Sequence, residues 1–300
     1  MTGKSLRSVC ALAAAAFALT SVTACGGDKS DKSDKGASSA SPADQGKSPV
    51  AQAISALRKA ATATDGAHSA KVEGTTTMAA TGTMNMNGAL DWADGVQGDV
   101  TISGGQGAMG ALMKGPGGMH ARYLKDAYYV NIGEASPQMA AQLGGKHWIK
   151  YDYDWMAKKL GPSGAYLKDQ MQNNNPTRSV QMLIGSGDVR QVGTETVRNV
   201  KATHYSGTID VSRMAEKQSS LGKDQLDQLK RQLQQSGATT EQVDVWVSDD
   251  NLLVKKVEKA NGGSGTTEST VYYSDYGTKV SAGAPDASDT VDAATLPGMS

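Results

Sequence analysis

From Val72 to Ile102 the chain alternates. Even positions carry Val72, Thr76, Met78, Ala80, Met84, Met86, Leu90, Trp92, Val96, Val100 and Ile102, whereas odd positions carry Lys71, Glu73, Thr75, Thr77, Thr81, Thr83, Asn85, Asn87, Asp91, Asp99 and Thr101. Successive side chains of a strand point to opposite faces, so this period of two predicts a sheet with one apolar and one wet face. The run is too long for one strand. The turn-like breaks Ala79–Gly82 and Ala93–Gly95 divide it into an antiparallel meander of three strands. Something must cover the apolar face, and only about 38% of the chain is hydrophobic, with a single Phe and 35 Gly. A core of that composition is thin and spread over a sheet.

The N-terminus reads as a leader. Lys4 and Arg7 precede an apolar run from Val9 to Leu19, followed by Val22-Thr23-Ala24-Cys25. The run is too short for a stable membrane span and has the layout of a secretory signal over 1–24. Its ending resembles the bacterial lipobox, which implies a diacylglyceryl thioether on Cys25, cleavage before it, and anchorage to the outer face of the cell membrane. Residues 25–48 carry repeated Asp-Lys-Ser units and then Ser-, Ala- and Pro-rich sequence, a flexible tether reaching about 25 Å r.m.s. and ~75 Å at full stretch. Lys at positions that should carry oxygen ligands excludes a Ca²⁺ loop. Cys10 and Cys25 are the two cysteines, so no intramolecular disulfide survives loss of the leader.

The expected folded domain spans 49–285. Ser48-Pro49 opens a helix with the stripe Val50, Ile54, Leu57 and Ala61, stopped by Gly66. After the meander, Gly104–Gly118 contains a match to G-x-G-x-x-G, but no βαβ unit surrounds it and the residues that follow are expected not to sustain the helix N-terminus that would take a pyrophosphate, which argues against dinucleotide binding. A mobile Met-bearing flap is expected there. A hairpin (Met119–Leu124, Ala127–Ile132) and a strand (His147–Tyr151) follow, then short helices around Trp155, over 165–172, and after Asn175-Pro176 with Val180, Leu183 and Ile184 on one side. Strands are expected over 187–196, 200–211, 242–248, 252–259 and 267–276, with a polar helix over 212–235 and a loose polar tail over 286–300.

Charge and motifs exclude several functions. With 30 basic against 30 acidic residues there is no excess to hold nucleic acid. His68, His120, His147 and His204 show no metal-ligand spacing. Ser220-Leu221-Gly222-Lys223 matches S-x-x-K without its Lys-Thr-Gly partner, and no G-x-S-x-G occurs, so neither an enzyme nor a bound cofactor or metal is expected.

The order of elements, with Gly193-Thr194-Glu195-Thr196-Val197 before His204-Tyr205-Ser206-Gly207-Thr208-Ile209-Asp210, Val245-Trp246-Val247 before Leu252-Leu253-Val254-Lys255-Lys256, and Tyr273-Ser274-Asp275-Tyr276-Gly277 before Pro285, resembles the actinobacterial LppX/LprA/LprF/LprG-type lipoproteins and, more distantly, the carrier LolA. That resemblance implies an α+β fold in which a strongly curved antiparallel sheet, an incomplete β-barrel, wraps around helices. It also implies an apolar cavity for the acyl chains of a lipid or glycolipid, possible transport to the outer envelope included. Candidate lining residues here are Val72, Met78, Met84, Met86, Leu90, Trp92, Val100, Ile102, Leu183 and Ile184. The segment Gly104–Gly118 departs from the family pattern. Met lines adaptable cavities and also fills irregular dry cores, so the residues alone leave open an alternative: an interaction or sensor module with a filled core that docks an envelope protein.

Overall fold

The computed structural model describes residues 48–113, 117–134, 136–173, 175–210, 240–263 and 265–296, with four isolated positions (223, 227, 231 and 237). The leader, Cys25 with its lipobox Val22, Thr23 and Ala24, the tether and most of the expected helix over 212–235 lie outside them.

The alternating stretch forms three strands, β1 (Ser69–Met78), β2 (Gly82–Asp91) and β3 (Gln97–Gly104), paired antiparallel with Val72 opposite Gly88 and Met86 opposite Ile102. Strands β4 (Met119–Tyr123), β5 (Ala127–Asn131) and β6 (Trp148–Asp152) extend the sheet on one side. On the other side β1 pairs with β11 (Gly265–Ser274), followed outward by β10 (Leu253–Gly262), β9 (Thr240–Ser248), β8 (Val200–Asp210) and β7 (Val189–Val197). The meander therefore sits at the centre of a twelve-stranded sheet. All neighbours are antiparallel except β12 (Thr290–Asp292), which joins β6 in parallel. The order does not close on itself: β12 and β7 stand at its edges, the open antiparallel sheet with helices that the sequence implied.

The helices begin where capping chemistry places them. In α1 (Pro49–Ala67), the Ser48 hydroxyl accepts from the Ala51 N–H at 3.2 Å, Pro49 takes the first turn, and His68 ends the helix in the left-handed region at φ 62°. Its buried face is Ala53, Leu57, Ala60, Ala61 and Thr64, so the expected stripe is rotated and Val50 is 42% exposed. Where a mobile flap was expected, a six-residue helix, α2 (Gly107–Leu112), forms within the Gly- and Met-rich segment. It connects antiparallel β3 and β4, so no βαβ unit arises. Among the described residues, four more α-helices follow: α3 (Pro137–Gln142), α4 (Tyr153–Leu160), α5 (Pro162–Gln172) and α6 (Arg178–Ser186). Ser136 and Asp152 cap α3 and α4, each accepting an N–H of the first turn.

Helices α1 and α6 pack on each other and on β7, with α6 also on β8 and β9. Leu57, Leu183, Leu253, Val72, Val100 and Val243 are sealed between them and the sheet. Each such side chain contributes about 1.5–3 kcal/mol by leaving water. A second cluster gathers Met113, Met119, Val130, Ile132, Leu143, Ile149 and Ala293.

The stretch after Pro285, expected to be loose, instead supplies β12 and buries Ala293 completely. Asp289 clamps it: the His147 N–H donates to Asp289 Oδ1 at 3.0 Å, and His147 Nδ1 lies 2.7 Å from the same oxygen. Hydrogen bonding from His147 holds the Asp289 carboxyl below the usual carboxylate range. A lowered carboxyl contributes stability above its unfolded value that is lost as pH falls through the folded one. Asp289→Ala is expected to speed amide hydrogen exchange along the β6–β12 ladder while leaving β1–β2 protected, and equal protection in both ladders would contradict the clamp.

Candidate functional site: a cavity between the sheet and the start of α6

The even face of β1 and β2 is only partly covered. Val72 is buried, but Gly74, Thr76, Met84 and Met86 keep intermediate exposure, while the odd residues Thr75, Thr77, Asn85 and Asn87 are exposed. Against this face lies a cavity of about 240 Å³. Its apolar wall is Val72, Met86, Leu90, Trp92, Val96 and Val271, with Pro176 ahead of α6. Trp92 is fixed by its indole N–H donating to the Thr64 carbonyl at 3.2 Å and by edge contact with Tyr276, ring centroids 6.3 Å apart.

The rest of the lining is polar: Lys256, Glu258, Ser269, Thr76 and Tyr273. Lys256 and Glu258 face inward because of a β-bulge in β10. Leu253 is opposite Val247, but Lys255 is opposite Trp246, so the pairing slips by one residue at Val254. Before the bulge Leu253 points into the core. After it Lys255 points outward, its ammonium 4.0 Å over the Trp246 ring, and Lys256 and Glu258 point inward. Side chains satisfy the backbone groups that such a slip strands. The Leu253 N–H donates to Thr64 Oγ1 at 3.1 Å, and the Tyr276 hydroxyl donates to the Leu253 carbonyl at 2.6 Å.

Inside, Lys256 Nζ is 3.0 Å from Glu258 Oε1 and donates to Ser179 Oγ at 3.0 Å, while the Ser179 hydroxyl donates to the Glu258 carboxylate. Lys256 is 5% exposed. Burial is the largest single influence and acts to lower the lysine, yet the charge and hydrogen bond of Glu258, with the nearby Tyr273 and Glu241, together outweigh it and leave Lys256 above its ordinary value. Burial likewise acts to raise Glu258, but the Lys256 charge and the bonds from Ser179 and Lys256 hold it below the usual range. The pair is therefore ionised. Burial, with the charge of Glu258 beside it, pushes the neighbouring Glu241 up to about 7.

A carboxyl raised above its unfolded value keeps a proton that the unfolded chain has released, so stability falls as pH rises from the ordinary 4.5 to about 7. Glu241→Gln is expected to flatten that slope, seen as a smaller difference in urea midpoint between about pH 5 and about pH 8. An unchanged slope would exclude Glu241 as its source.

Of the residues singled out by sequence, Val72, Met86, Leu90 and Trp92 line this cavity. Val100 and Leu183 are sealed in the core, and Ile102 and Ile184 pack against it. Met84 joins the second cluster, and Met78 ends β1 opposite Gly82 and Thr267. The alternation identified the inward face but not how closely a helix approaches each part of it. Sequence reading missed Lys256 and Glu258, since an unbroken strand gives no sign of a bulge. His204 stacks on Trp246 with centroids 4.2 Å apart, and its Nε2 lies 2.7 Å from Asp244 Oδ1 on the outer face.

No protein-family model matches the chain. It is 49% identical over 245 residues to the "Uncharacterized 31.2 kDa protein in rplA-rplJ intergenic region" of Streptomyces griseus, covering 81% of this chain and 79% of that one. It is 41% identical over 239 residues to "Putative lipoprotein SCO4650" of Streptomyces coelicolor, covering 79% and 74%. Among solved structures it is similar to LprF from Mycobacterium bovis, at 16% identity and a TM-score of 0.45 over 80% of this chain and 99% of that one. Similarity this extensive to the two Streptomyces proteins places the chain in their family.

Proposed function

We propose that this chain is an extracytoplasmic lipoprotein of the LppX/LprA/LprF/LprG type, anchored to the outer face of the cell membrane through Cys25, that holds an acyl chain of a lipid or glycolipid between its sheet and the start of α6. The observation that carries the reading is the cavity under the central meander, about 240 Å³ with Val72, Met86, Leu90, Trp92 and Val96 in its lining. Each methylene drawn from water into such a wall contributes about 0.8 kcal/mol, so affinity arises without a charged recognition site for the tail. The lipobox-like Val22-Thr23-Ala24-Cys25 and the lipoprotein designation of the Streptomyces coelicolor relative support the anchor. A tether of the length of 25–48 lets the folded part reach the bilayer.

Full-length protein carrying Cys25→Ala has no acyl group of its own and suits a titration with a fluorescent fatty-chain probe. Saturable binding at one site is expected, and its absence would overturn the carrier reading. The same variant is expected to lose metabolic labelling by a fatty-acid analogue and retention on membranes.

The tightly filled core beneath α1 and α6 supports a second reading, a docking module for an envelope protein. An empty chain that forms a defined complex with one envelope protein would favour it.

A further inference from the structure

An acyl chain needs only hydrocarbon around it, and this cavity offers more. A slip of one residue in β10 places a buried ammonium and a buried carboxylate in the same wall. Thr76 Oγ1 and Ser269 Oγ, 3.2 Å apart, lie beside them. A buried ion pair is weak support for stability, since apolar residues of similar volume serve as well. Its position on the cavity surface makes it available to a ligand.

The charge balance selects among ligands. Lys256 and Glu258 cancel, and the Ser179 hydroxyl is already engaged between them. An anionic headgroup would meet the Glu258 carboxylate, and a cationic one the Lys256 ammonium, each without a free counter-charge. A hydroxyl both donates and accepts, and so can sit beside the two groups at once without unbalancing them. The cavity is also smaller than the 300–1,000 Å³ or so of common ligand pockets, and Val72 is paired directly with Tyr273, so polar lining lies close to any chain along Val72, Met86 and Leu90.

Building on the acyl-chain reading above, we infer that the site selects neutral, hydroxyl-bearing amphiphiles, of the fatty-alcohol or acylglycerol class, with the hydroxyl against Lys256 and Glu258 and the chain along the apolar wall. Free fatty acids and alkyl amines are then the disfavoured ligands.

The test is displacement of a fluorescent fatty-chain probe from the full-length Cys25→Ala protein by decanol, decanoate, decylammonium and decane. Hydrogen bonds to charged groups are expected to make decanol bind roughly tenfold tighter than decane, with decanoate and decylammonium weaker than decanol. The double variant Lys256→Met/Glu258→Leu replaces the pair by apolar groups of similar size and should fold. In it the order of decanol and decane is expected to reverse, because a hydroxyl buried without a partner is penalised. Equal binding of decanol and decanoate, or an unchanged decanol preference in the double variant, would overturn the inference while leaving the acyl-chain reading in place. Failure of every chain to displace the probe would overturn both.

Discussion

Lys256→Ala is expected to destabilise the protein by about 3–5 kcal/mol, because it leaves the Glu258 carboxylate inside without its cation. Lys256 is buried, and the Glu258 side chain is 23% exposed, too little for water to replace the lost partner fully. Ser179 would still donate to the carboxylate, which limits the loss without removing it. The double variant Lys256→Met/Glu258→Leu should behave differently, ranging from neutral to about 4 kcal/mol more stable, since no uncompensated charge remains. Urea denaturation of the single and double variants measures both effects. A mild single variant, or a double variant as damaged as the single one, would show that the charges are in contact with water in the folded protein.

Leu183→Ala is the second large effect. The side chain is fully buried beneath α6 and belongs to the core shared with α1, β8 and β9, so its removal leaves a cavity that rigid neighbours cannot close. A loss of about 2–5 kcal/mol is expected. Met86→Ala gives the contrast, because Met86 already borders open volume and keeps intermediate exposure. Its cost should fall below that of Leu183→Ala by about 1 kcal/mol or more, the cavity term being largely absent. Equal costs would mean that the space beside Met86 is packed in solution.

What the sequence revealed depended on how local the physics was. The alternation from Val72 to Ile102 specified a face residue by residue, and β1–β3 follow it because a slip of one position would turn Met86 and Leu90 to water. Helix α1 was legible from Ser48-Pro49, yet its buried side rotated to include Ala53 and Ala60, because the side that packs on α6 and β7 is set by tertiary contacts. Helix α3 carried a Ser136-Pro137 start that went unread. Strand β12 has three residues and pairs in parallel with a partner some 140 positions earlier, as the 142-residue separation of His147 and Asp289 shows, and no local pattern announces such pairing. The polar wall was hidden for a related reason. Leu252 to Lys259 places charged residues on both parities, and only the bulge at Val254, held by Thr64 and Tyr276 from distant parts of the chain, decides which pair turns inward.

A lipid chain in the space under the meander would be excluded by a side chain placed there. A Cβ at Gly74 would meet the flexible Met86 methyl at 3.3 Å and the Thr270 carbonyl at 3.6 Å, so Gly74→Leu can project its isobutyl group into the cavity without forcing the backbone. Lipid retained through purification by the full-length Cys25→Ala protein, with and without Gly74→Leu, is quantified by mass spectrometry. The account predicts one lipid per chain without the added substitution and little or none with it, at an unchanged urea midpoint. Equal lipid content in the two proteins, or none in either, would contradict it.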